Sequence, residues 1–110
     1  MSPRTIDNID FSRQLVKAGV KISDVSDRYF TIYRGADRMI GMYKTRVDYP
    51  DIDSAAITAR LAANSKKSCI FYPEANIMTE AISRAARNSN VNLVPVGMNI
   101  DKSIVQRCFL

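Results

Sequence analysis

The run Tyr29-Phe30-Thr31-Ile32-Tyr33-Arg34-Gly35-Ala36-Asp37-Arg38-Met39-Ile40-Gly41-Met42-Tyr43-Lys44 decides how this chain is read. Two readings compete. As a β-hairpin, 28–34 and 38–44 flank a Gly-Ala-Asp turn, and the aromatic and β-branched content supports strands. As a helix, Ala36, Met39, Ile40 and Tyr43 fall at i, i+3, i+4 and i+7. In a hairpin the second run, Met39-Ile40-Gly41-Met42-Tyr43, shows no polar alternation. On that ground a helix from about 34 to 46 is preferred, with Gly41 inside it costing about 1 kcal/mol relative to alanine.

Towards the N-terminus, Asp10 is placed to cap a first helix, with Phe11, Leu15 and Ala18 on one face and Gly19 as its left-handed stop. Ile22, Val25 and Tyr29, at i, i+3 and i+7, predict a second helix opened by Lys21 or Ser23. Towards the C-terminus, Asp48-Tyr49-Pro50-Asp51 breaks the chain. The alanine-rich stretch 53–64 predicts a helix capped by Asp51 and Asp53. Cys69-Ile70-Phe71-Tyr72 predicts a short buried strand. Pro73 suits the first turn of another helix, with an apolar stripe of Ile77, Met78, Ala81, Ile82 and Ala85. Val91 to Val96 predicts a second strand, with Pro95 suggesting an edge position. Ile104, Val105, Cys108 and Phe109 are spaced for a helical turn and a half docking on the body. The expected fold class is α+β, mainly α. A helix-turn-helix-like three-helix unit over 1–47 is followed by a helix-strand-helix-strand unit over 51–110, the two forming one compact domain.

The 110 residues are 46% hydrophobic and 25% charged, the composition of a globular protein. No apolar run reaches the roughly 18 residues a membrane helix needs. The first seven residues are polar and acidic, so no signal peptide is expected. With no histidine in the chain, Ser-His-Asp and Cys-His catalysis are excluded, as are most zinc and iron sites. Cys69 and Cys108 are distant in sequence and lack a CxxC partner, so a cytoplasmic protein with reduced thiols is expected. The four glycines are isolated, which excludes phosphate-cradling glycine loops. Asp48, Asp51 and Asp53 are close in sequence, but Asp51 and Asp53 read as helix-capping groups rather than as part of a catalytic set. Neither enzyme, metal nor cofactor is expected.

Net charge is +5, and its placement is uneven. Residues 28–46 hold Arg28, Arg34, Arg38, Lys44 and Arg46 against Asp37 alone. Clustered guanidinium groups suit phosphate, and the competing reading is a solvated helix face.

The run from Leu15 to Tyr29 resembles the first half of a helix-turn-helix. Ala18-Gly19-Val20 closes one helix, and Ile22-Ser23-Asp24-Val25 leads to the aromatic Tyr29. Within that class, Arg34-Gly35, Met39-Ile40 and Tyr43-Lys44 are similar to the FlhC-type subunit of the FlhC/FlhD-type activators of flagellar and conjugative-transfer genes. Ile57-Thr58-Ala59-Arg60-Leu61-Ala62 leading to Cys69-Ile70-Phe71 is similar to the FlhD-type partner. The cysteine cluster that holds zinc in the FlhC type is absent from this sequence, so no metal carries over. The resemblance implies a small transcription activator working in a multimer.

The expected function is therefore regulation of transcription through double-stranded DNA, as a homo-oligomer or with a partner regulator subunit. A basic third helix would enter the major groove. Phosphate contacts would come from Lys17, Lys21, Arg28 and Lys44, with Arg46 beside them, and base contacts from Arg34 and Arg38 with Tyr33. One alternative is a protein-interaction module. Another applies if residues 28–44 form the hairpin: an RNA binder using Tyr29, Phe30 and Tyr33 as stacking platforms.

Overall fold

The computed structural model describes residues 6–45, 68–73, 83–84, 86–87, 91–97 and 100–109. The expected helix over 53–64, the break at 48–51, most of the 77–85 stripe and Arg46 lie outside the described residues. The helix α1 spans Asn8–Lys17. Its cap is Asp7 rather than Asp10: the Asp7 side chain accepts from the Asp10 N–H, and the Asp10 side chain accepts in return from the Asp7 N–H. This reciprocal box satisfies donors that a helix start otherwise leaves open. Gly19, at φ +94°, ends the helix as expected.

The three-helix unit is not formed, and the fold is mainly β. The stretch read as the second helix is the strand β1, Lys21–Ser23, and a loop. The stretch read as the third helix is the hairpin of β2, Phe30–Arg34, and β3, Asp37–Tyr43. Arg34 pairs with Asp37, so the loop is Gly35-Ala36, with positive φ at Gly35 alone. A glycine in the first loop position is the signature of a type II′ hairpin, whose twist matches that of the strands. The strand β4, Ser68–Tyr72, and β5, Val91–Pro95, complete a five-stranded sheet in the order β1-β2-β3-β4-β5. The first three strands are antiparallel, while β3, β4 and β5 run parallel. Pro95 closes the edge strand, where its missing N–H removes no ladder bond.

The missing alternation in β3 follows from its place in the sheet. Met39 and Tyr43 face one apolar cluster with Phe11, Phe30, Ile32, Phe71 and Val94. Met42 and Ile40 face a second, with Ile70, Ala86 and Val91. A strand buried on both faces reads as a continuous apolar run. Ser68–Tyr72 of β4 is buried along its whole length for the same reason.

Helix α1 lies on the first face. The Phe11 ring sits 4.6 Å from that of Tyr43 and 4.9 Å from that of Phe71. Burying each such ring contributes about 1.5–3 kcal/mol. Asn8 is buried at the helix start and acts as a clamp. Its Oδ1 accepts from the Tyr43 N–H at 2.9 Å, and its Nδ2 donates to the Ser26 carbonyl at 2.9 Å. Gly41 is required under Phe30, since a Cβ there would stand 2.7 Å from Phe30 Cε2 and 2.8 Å from Ile32 Cδ1.

The C-terminal segment docks on the same face through helix α2, Ser103–Gln106, and a 3₁₀ turn, Arg107–Phe109. Ile104, Val105 and Cys108 are buried. Contrary to the expectation of reduced thiols, Cys69 of β4 and Cys108 form a disulfide, with Cα atoms 5.7 Å apart. Asn92 Nδ2 donates to the Cys108 carbonyl at 2.7 Å and fixes the same turn. No helix among the described residues is long and apolar enough to cross a membrane.

Candidate nucleic-acid interface

Strand pairing, rather than a helix, brings the basic residues together. Lys21 of β1 pairs with Tyr33 of β2, and Tyr33 pairs with Arg38 of β3. Directly paired residues on adjacent strands point to one side of a sheet. The three side chains therefore form a row, with neighbours about 5 Å apart. A parallel row, Ser23, Thr31 and Ile40, lies one pleat away. Both rows are on the face opposite α1, since Phe30 and Ile32, which flank Thr31 in β2, belong to the cluster with Phe11.

Lys21 and Arg38 are exposed and Tyr33 is half-buried. Lys21 Nζ lies 5.6 Å from the Tyr33 ring centroid, within reach of a cation–π attraction. The Tyr33 hydroxyl shares a hydrogen bond with Ser23 Oγ at 2.9 Å, which fixes the ring. Beside the rows is a depression of about 180 Å³ lined by Asp24, Thr31, Arg38, Met39 and Ile40. Asp24 has φ +53°, the left-handed region, which aspartate tolerates better than most residues. Its carboxylate accepts from Ser23 Oγ at 3.1 Å.

The other residues expected at the interface are dispersed. Arg34 points to the opposite face. Its guanidinium stacks 4.7 Å from the Phe109 ring centroid and lies 4.0 Å from the Asp37 carboxylate. It is a contact for the C-terminal turn and does not belong to the row. Arg28 is exposed in the β1–β2 loop, where its N–H donates to Ser26 Oγ at 3.2 Å. Lys44 is half-buried after β3, and its N–H donates to the Phe71 carbonyl. Lys17 is in the last turn of α1. Of the aromatic residues, Phe30 is lost to the core and Tyr29 packs partly against the second cluster. The recognition helix that would have presented Arg34 and Arg38 together does not exist, because those residues alternate across a hairpin.

The sequence reading missed Asp24 as a site residue. Its signal was available in the polar run Ser23-Asp24, where a short acidic side chain tolerates a turn. A second surface feature is a groove of about 540 Å³ lined by Ile9, Ser12, Arg13, Val16, Lys17 and Val25. Val16 and Val25, at 54% and 45% exposure, are the exposed large apolar side chains among the described residues. Comparison with protein-family models, curated proteins and solved structures finds no match to this chain.

Proposed function

We propose that the chain binds single-stranded nucleic acid on the face of its antiparallel strands. The observation that carries this reading is the Lys21–Tyr33–Arg38 row, one aromatic ring between two cations on neighbouring strands. Lys21 neutralises backbone phosphate, the Tyr33 ring takes a base, and Arg38 donates to the strand from the far side of the ring. Sheet faces suit this task because single strands can splay bases onto rings, which a closed duplex cannot. The net charge of +5 adds a long-range attraction. A role in transcription or in RNA handling follows from the strand bound, and duplex DNA becomes the competing outcome.

The test is fluorescence anisotropy of a labelled 12-nucleotide single strand and its duplex over a salt series. The single strand should bind more tightly. Tyr33→Ala should weaken it about 5- to 100-fold, the worth of one stacked base. Arg38→Ala should lower the salt slope by about one. Arg34→Ala, on the other face, should leave affinity within about twofold, as a surface change away from the site does. Preference for the duplex, or no binding at low salt, refutes the proposal.

The second reading, a protein-interaction module, is favoured by the α1 groove. Arg13 and Lys17 flank its apolar floor, which suits an acidic segment with apolar side chains. Val16→Asp would abolish such docking and leave strand binding intact.

A further inference from the structure

The depression beside the row has a composition that selects among bases. It offers a carboxylate, Asp24, and a guanidinium, Arg38, with the Thr31 hydroxyl and the apolar Ile40 between them. The two charges are not ion-paired with each other, so both remain available to a ligand. A carboxylate accepts hydrogen bonds only, and a guanidinium only donates. The matching base carries donors on one edge and acceptors on the next. Guanine does so: N1–H and the N2 amine donate, while O6 and N7 accept. Adenine and cytosine each offer a single donor amine beside ring acceptors, and uracil offers one imide donor.

We propose that this depression is a guanine subsite for the strand bound on the face; the inference rests on the single-strand reading above. Asp24 accepts from guanine N1–H and N2–H. Arg38 donates to O6 and N7, the bidentate contact by which arginine reads guanine. Ser23 holds one Asp24 oxygen by its hydroxyl, which aims the carboxylate. Asp24, with its left-handed backbone just after β1, is one of the residues that line the depression. Neighbouring Tyr33 receives the adjoining base, so the subsite sets sequence preference and the ring supplies affinity.

The test uses the intact protein and labelled heptamers of uridine carrying guanosine, inosine or adenosine at the centre. Guanosine should bind at least about fivefold more tightly than adenosine, the lower range of one bidentate contact. Inosine, which lacks only the N2 amine, should fall between them. Asn also tolerates a left-handed backbone, so Asp24→Asn keeps the fold. It should erase the difference between guanosine and inosine, while the gain from losing a negative charge is shared by all the heptamers. Equal affinity for all heptamers overturns the subsite and leaves single-strand binding standing. So does an Asp24→Asn variant that still prefers guanosine over inosine. Failure of every heptamer to bind at low salt overturns both.

Discussion

Reduction of the Cys69–Cys108 disulfide should cost the protein about 4 kcal/mol of stability. The bridge closes a loop with a sequence separation of 39. In the chain-entropy account, such a closure removes about 13 cal/mol/K from the unfolded ensemble, which is about 3.9 kcal/mol at 25 °C. The Cα separation of 5.7 Å lies in the usual range for a disulfide. Both sulfurs are fully buried, so a reductant reaches them only through opening of the structure. The assay is urea unfolding of air-oxidised protein, with and without dithiothreitol. With a urea dependence of about 2 kcal/mol per molar, the midpoint should fall by about 2 M on reduction. A thiol assay in guanidinium without reductant should find no free thiol. Two free thiols per chain, or a midpoint that moves by less than about 0.3 M, would refute the reasoning.

Three further outcomes follow from the packing. Gly41→Ala should destabilise by about 1–3 kcal/mol, because the methyl meets Phe30, whose ring is held between Phe11 and Phe71 and cannot yield; thermal unfolding reads it. Asn8→Ala should cost about 2 kcal/mol in urea unfolding, since it takes the acceptor from the buried Tyr43 N–H and the donor from the Ser26 carbonyl; Asn8→Asp, which keeps an acceptor, should restore the first contact alone. The Asp101 carboxyl is held below the usual carboxylate range, first by the Ser103 hydroxyl and then by the Ser103 N–H, both donating to it. A lowered folded value means that the contribution is present above the unfolded carboxylate value and lost as pH falls through the lowered one. Carbon-detected NMR titration should show Asp101 moving up towards the ordinary value in Ser103→Ala.

Among the described residues, the C-terminal strands and docking turn were the more legible part of the sequence. The strands at 69–72 and 91–96 announced themselves through short apolar runs bounded by prolines, and the docking turn through Ile104, Val105 and Cys108. The decisive stretch misled for a physical reason. Alternation marks a strand only when one face meets water, and β3 meets apolar clusters on both. Its Ala36, Met39, Ile40 and Tyr43 then matched helical spacing by coincidence. Two local signals favoured the strand: Gly35 at the turn, and Gly41, a poor helix residue that a crowded neighbour strand requires. The candidate site was legible as composition, in the clustering of arginine. It was not legible as geometry, because only strand register places Lys21 beside Arg38 and turns Arg34 away.

The sheet lists its strands in the order in which they are synthesised. A ribosome adds about 5–20 residues per second. The hairpin β2–β3 is therefore complete while the next strand has yet to be made, with the 24 residues between Tyr43 and Ser68 still to come. For about one to five seconds the nascent chain carries β3 as an unpaired edge, apolar on both sides. Such an edge is a template for pairing with a neighbouring chain. The stage at which this protein is most prone to aggregate is thus its own translation, before β4 is available to pair with β3.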